Sequence, residues 1–202
     1  MIGSRQPPIA ARELILGGQK SGKSRRAEQL AAAWLAQSHA HQPAHQAVLL
    51  ATAQAYDAEM RERIARHQRE RAARVPGLRT AEVAHDLAGA LAVHSNAHTL
   101  VVVDCLTLWL TNWRMPFDDS EQNRHLTQDW QAQEAMFLKA LQQSPGPVVL
   151  VGNEIGLGVI PLGPEVRAFV DALGTLNQRV AQVCTRVTLM AAGLPLCLKE
   201  SE

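Results

Sequence analysis

Residues 17–24 read Gly17-Gly18-Gln19-Lys20-Ser21-Gly22-Lys23-Ser24, a G-x-x-x-x-G-K-S spacing with a direct chemical use. Its glycines let backbone N–H groups converge on phosphate oxygens. A helix starting at the lysine adds its partial positive charge. Lys23 is placed to reach the β- and γ-phosphates of a nucleotide, and the Ser24 hydroxyl to ligate Mg2+. A Gly-rich turn without a ligand is the plainer alternative. Phosphoryl chemistry also asks for a carboxylate at the end of a neighbouring strand, to hold the metal and its waters. Asp104 follows the apolar run 99–103 and fits that place; its alternative is a helix cap.

A second group lies on one helical stripe. Arg63, His67 and Arg71 are spaced i, i+4, i+8 and project along one face, with Met60 and Ile64 on an adjacent stripe. Three groups able to carry positive charge repel one another unless an anion lies among them. Flanking guanidiniums favour a neutral imidazole, the form that attacks phosphorus and makes a phosphoramidate. Spacing alone favours a solvated Arg-rich face with one incidental histidine. His39, His41 and His45 cluster without an acidic or cysteine partner and read as a solvated loop.

The elements needed to position these groups alternate along the chain. Strands are expected at 13–16, 48–51, 99–103, 147–151, 186–190 and 196–198. Helices are expected at 23–36, 57–74, 86–93, 121–143 and 164–183. The alternation points to an α/β fold, a mostly parallel sheet with helices on both faces. The stretch 37–46 reads as a loop, and residues 1–11 as a loose N-terminal extension of a single domain spanning 1–202.

Composition narrows the function. At 202 residues the chain suits one well-cored domain, and 47% apolar with 19% charged residues excludes disorder as the main reading. A net charge of +1 gives no basic field for nucleic acid, and 4% aromatics argue against a base-stacking surface. Sixteen of the 20 cations are arginine, which leans toward phosphate-bearing ligands. Cys105, Cys184 and Cys197 form neither a metal spacing nor a disulfide framework, and the apolar stretch 100–110 is too short to span a bilayer. A cytoplasmic protein is the expectation.

Six segments together carry a family resemblance: LILGGQKSGKSRRAE, LATAQAYDAEMRERIARHQRER, RTAE at 79–82, VVVDCLTLWLTN, VLVGNEIGLGVIP and LNQRVA. From Glu13 to Lys199 the chain resembles the bifunctional cobinamide kinase / cobinamide-phosphate guanylyltransferases of adenosylcobalamin synthesis. The resemblance implies a P-loop NTPase with a RecA-like sheet. It implies phosphorylation of adenosylcobinamide by ATP or GTP, then transfer of GMP from GTP to a histidine and on to adenosylcobinamide phosphate. His67 matches the guanylylated histidine, with Lys23 the other catalytic residue.

Nucleotide contacts are carried over to Gly17, Gly18, Gln19, Lys20, Ser21, Gly22, Lys23 and Ser24. They extend to Ala51, Thr52 and Ala53, to Gln68, Arg69, Glu70 and Arg71, and to Glu82 and Asp104. Mg2+ falls to Ser24 and Asp104. The family often has Glu where Asp104 stands, one methylene longer. The resemblance further implies a homotrimer and a ligand-lining role for the loop 153–161. A P-loop kinase without the guanylyl step and a non-catalytic GTP-binding module are the rival readings.

Overall fold

The computed structural model describes residues 9–37, 43–55, 58–115 and 121–201, with the backbone alone for 121–128. Residues 1–8, His39 and His41 therefore lie outside the described residues. The elements are β1 (Arg12–Gly17), α1 (Lys23–Ala36), β2 (Gln46–Ala51), α2 (Ala58–Arg74), β3 (Leu78–Glu82) and α3 (Leu87–His94). There follow β4 (Thr99–Asp104), α4 (Leu106–Arg114), α5 (Glu121–Gln143), β5 (Val148–Val151), α6 (Pro164–Val183), β6 (Arg186–Ala191) and β7 (Leu194–Glu200).

The seven strands form one sheet in the order β3-β2-β4-β5-β1-β6-β7. All neighbours are parallel except β6 and β7, which pair antiparallel. The expected fold class holds: an α/β P-loop fold with a RecA-like sheet. One expectation is corrected. β4, which ends in Asp104, is not the neighbour of β1; β5 lies between them.

Why both faces are covered is written in the strand residues. Side chains alternate across a pleated sheet, and here both alternating sets are apolar, as expected of a doubly covered parallel sheet. Leu14, Leu16, Val48, Leu50, Val101, Val103, Val148 and Leu150 face one layer, where α3 to α6 contribute Leu91, Trp109, Phe137, Leu141, Leu176 and Val180. Ile15, Leu49, Val102 and Val149 face the other, where α1 brings Ala27, Leu30 and Ala31, and Val75 follows α2. α2 itself has no buried residue.

Two elements had no counterpart in the sequence reading. β3 is an edge strand, half-buried or exposed throughout, so it lacks an alternating pattern. α4 continues the apolar run of β4, and short apolar runs do not reveal by period where strand becomes helix. Its N-cap is Cys105, whose thiol accepts from the Leu108 N–H, so Asp104 is not the cap.

Candidate active site

Parallel pairing brings the carboxyl ends of the strands to one edge, the place where open α/β sheets bind ligands. Across that edge Glu82, Ala51, Asp104 and Val151 stand in register on β3, β2, β4 and β5. Asp104 and Glu82 are two strands apart, about 10 Å.

The phosphate loop is held rigidly. Gly17 has φ of 151°, and an added Cβ would lie 2.5 Å from the Met190 carbonyl oxygen and 2.6 Å from Ser21 Oγ. Gly22 precedes α1 at φ of 102°, a left-handed conformation that suits glycine. The Gly193 N–H donates to the Ser21 carbonyl at 3.0 Å, and the Glu154 N–H to the Gly17 carbonyl at 3.1 Å. Gly18, Gln19, Lys20 and Ser24 are exposed, whereas Ser21 and Lys23 are buried. Lys23 Nζ donates to the Gly18 carbonyl at 2.7 Å, across the mouth of its own loop. Burial lowers its pKa, opposed by the charge of Asp104.

Asp104 is partly buried, with the Ser24 side chain near enough to act on its carboxyl group. Burial, helped by the charge of Glu28, raises its carboxyl pKa, while Arg71, Ser24 and Lys23 pull it down. The two expected metal ligands are thus brought together, and their all-oxygen donor set suits a hard divalent cation. Among the described residues, no three His, Cys, Asp or Glu side chains gather as a metal site.

Thr52 is fully buried, and its hydroxyl bonds both the N–H and the C=O of Cys105 at 2.8 Å. Its part is to tie the ends of β2 and β4, while Ala53 and Gln54 line a cavity of about 410 Å3. The other walls include Ile64 and Gln68 of α2 and Glu82 and Val83. A cavity of this size suits a small ligand.

α2 is placed by polar contacts that climb the sheet edge. Arg71 Nη1 donates to Thr80 Oγ1 at 3.3 Å, and Gln68 Nε2 to Glu82 Oε1 at 3.4 Å. Moving from Arg71 back to Gln68 therefore leads toward the carboxyl ends of the strands. His67 is exposed at that level, on the face it shares with Arg71 and Arg74. The expected row of cations is broken: Arg63 is exposed, whereas Arg71 is largely buried toward Glu28. Arg69 and Glu70 are exposed, and Glu70 accepts from Arg74 at 3.4 Å.

Two structural residues of this edge, Asn112 and Thr107, were not singled out beforehand. Asn112, 3% exposed, donates to the carbonyls of Thr52 and Ala84 at 2.8 and 2.9 Å. Thr107 Oγ1 accepts from the Asn153 N–H at 2.9 Å, and Asn177 donates to the Asn153 carbonyl at 3.1 Å. Thr107 and Asn112 are polar residues inside an apolar run. Such residues must find partners when buried, and that was the available signal. His45, expected in a solvated loop, stacks on Trp34 with ring centroids 3.9 Å apart.

The family model described as cobinamide kinase / cobinamide phosphate guanyltransferase matches residues 13–198. The chain belongs to this family. Membership makes it an enzyme with both activities, kinase and guanylyltransferase, in adenosylcobalamin biosynthesis. It is 44% identical over 189 residues to the bifunctional adenosylcobalamin biosynthesis protein CobP of Pseudomonas aeruginosa, covering 93% of this chain and 97% of the relative. The CobU proteins of Escherichia coli and Salmonella typhimurium, also described as bifunctional, are each 32% identical over 193 residues, covering 92% and 98%. Among solved structures, flagellar accessory protein FlaH from Methanocaldococcus jannaschii is similar at a TM-score of 0.50 and 14% identity. That match covers 96% of this chain and 80% of that one, and it bears on fold alone.

Proposed function

We propose that one nucleotide site at the carboxyl edge of the sheet serves both reactions of the family, with the phosphate loop holding the triphosphate and α2 supplying the nucleophile. The observation that carries this reading is the climb of Arg71 and Gln68 along β3, which puts an exposed His67 level with Glu82 at the strand ends.

In the kinase step the backbone N–H groups of 17–24 cradle the phosphates of ATP or GTP. The Lys23 ammonium leaves the Gly18 carbonyl for the phosphate oxygens, where it offsets charge developing in the transition state. Ser24 and Asp104 would hold Mg2+, which when bound would offset negative charge on the phosphates. The hydroxyl of the adenosylcobinamide side chain takes the γ-phosphoryl group and gives up its proton, the β–γ anhydride bond breaks, and ADP or GDP leaves.

In the second reaction the His67 imidazole attacks the α-phosphorus of GTP. The α–β anhydride bond breaks, pyrophosphate leaves, and a phosphoramidate forms. A phosphate oxygen of adenosylcobinamide phosphate then displaces the histidine, giving adenosylcobinamide-GDP and the free enzyme. The cavity beneath α2 suits the base. Glu82 can accept from the ring N–H and amino group of guanine, a donor pair that adenine does not present in that arrangement. Thr52 and Asn112 keep this edge rigid, and Ala51, Ala53 and Gln68 line the way from the phosphates to the base.

The order of products tests the assignment. Incubation with adenosylcobinamide, GTP and Mg2+, read by mass, gives adenosylcobinamide phosphate first and adenosylcobinamide-GDP second. Phosphate alone would leave only a kinase, and no product would leave a nucleotide-binding module.

Assembly and location belong to the same reading. Leu157, Val159, Ile160 and Leu162 are 76–96% exposed after β5, and Leu194, Leu196 and Leu198 are 56–71% exposed on the edge strand β7. Apolar surface of this extent on a loop and a sheet edge supports a homo-oligomer, a trimer by family likeness. Light scattering on the purified protein checks it. No described helix is long and apolar enough to cross a membrane, and three free cysteines suit the reducing cytoplasm.

A further inference from the structure

α2 carries the proposed nucleophile, yet none of its residues is fully buried and none belongs to the apolar core. Something other than apolar packing must set its height and its rotation about its own axis. The strongest grip comes from Glu28 of α1, a carboxylate only 5% exposed. Arg74 Nε and Nη2 donate to its two oxygens at 2.7 and 3.0 Å, a forked pair. Arg71 Nε stands 3.9 Å from Glu28 Oε1, buried and without a hydrogen-bond partner of its own among the described residues. His67, Arg71 and Arg74 follow at i, i+4 and i+7, so the face that Glu28 grips is the face that presents the imidazole. Glu28 in turn lies on the helix whose first turn holds Lys23 and Ser24.

We propose that Glu28 is a positioning residue for guanylyl transfer: by seating Arg74 and Arg71 it locks the His67 face of α2 toward the phosphate loop. The inference rests on His67 being the nucleophile. Glu28 touches no reacting atom in this scheme. It ties the element that carries the nucleophile to the element that carries the electrophile, and a misplacement of about 1 Å between reacting atoms costs on the order of a hundredfold in rate. The kinase step takes no reacting group from α2, so its turnover at saturating nucleotide is expected to fall far less, although Glu28 lies within charge reach of Asp104.

The test uses the full chain with α-32P-labelled GTP and Mg2+ under single-turnover conditions, beside phosphorylation of adenosylcobinamide with ATP. Glu28→Gln keeps the shape but leaves the arginine fork without its charge. Its labelling at saturating GTP is expected to slow by about a hundredfold, while kinase turnover at saturating ATP falls by no more than about fivefold. Glu28→Asp, which keeps the charge one methylene short, is expected to recover about tenfold of that loss. Should Glu28→Gln not fold, Arg74→Gln attacks the same pair from its exposed end, and the same split is required.

Labelling of Glu28→Gln at the parental rate overturns the inference. So does a parallel fall of both activities with the melting temperature, which marks a structural role only, or an Asp variant no better than Gln. A parent enzyme that takes no label, or label that survives in His67→Ala, removes the histidine reading and this inference with it. A labelled parent with an unaffected Gln variant removes this inference alone.

Discussion

The phosphate loop, which runs into α1, and α2, which is tied to α1 through Glu28, are built in opposite ways. The loop is backbone braced by backbone: Gly17 packed against Met190, the Ser21 carbonyl held by Gly193, the Gly17 carbonyl held by Glu154. α2 is held at its rim by arginine and glutamine side chains and has no fully buried residue. Hydrogen-bonded backbone in a covered sheet fixes atoms to fractions of an ångström, as phosphate binding demands. A helix placed by a few side-chain contacts can be shifted by removing one of them without disturbing the loop. A histidine that must accept a nucleotidyl group and pass it to a bulky second substrate is served by the second kind of construction. The contrast suggests that the two activities can be damaged separately.

The largest expected effect lies in the loop. Gly17→Ala would drive a Cβ to 2.5 Å from the Met190 oxygen, so something in the loop must shift. A destabilisation of about 1–3 kcal/mol is expected. Both activities should fall below detection in product assays at a temperature where the variant remains folded. A variant that lost only guanylyl transfer would break the comparison.

Asp104→Asn is next. Loss of one metal-holding carboxylate should slow the kinase by about a hundredfold at any Mg2+ concentration tried. Its effect on the nucleotide-free protein has the opposite sign. Burial raises the folded-state pKa of Asp104 above its ordinary value. Its contribution is therefore fully present below the ordinary carboxylate range and is lost as pH rises through the raised value. The Asn variant should melt above the parent at neutral pH, with the gap closing toward about pH 4. Melting curves at several pH values check it.

The smallest effect sharpens the map of the rigid part. Burial pushes the Cys105 thiol up to about 11 and the Cys184 thiol to about 12, while Cys197 is exposed. Iodoacetamide at neutral pH should alkylate Cys197 first and spare the other two until the sheet unfolds, as peptide mapping would show. Early alkylation of Cys105 would mean that the strand end beside Asp104 opens readily.

The rigid half was also the legible half. Residues 17–24 announce their own conformation because glycine spacing, lysine and hydroxyl act within one turn of chain, and the start of α1 at Lys23 came out as expected. The apolar runs of β1, β2, β4 and β5 were readable because both of their faces are buried. β3 escaped because an exposed edge strand carries no apolar alternation. The insertion of β5 between β1 and β4 escaped because strand order is a long-range property. At the site, His67 on its stripe was visible, but the turning of Arg71 and Arg74 onto Glu28 was not. Residues 28 and 74 are 46 positions apart, and nothing in local spacing pairs them.

The central claim, that α2 delivers a histidine nucleophile to a GTP held by the loop, is tested most directly by locating the nucleotide on the protein. After incubation with GTP and Mg2+ without corrinoid, intact-mass and peptide analysis should find one GMP per chain, labile to acid, on the peptide containing His67. The adduct should be absent from His67→Ala, a variant that still phosphorylates adenosylcobinamide. GMP attached to any other residue, or an adduct that persists in His67→Ala, would contradict the account.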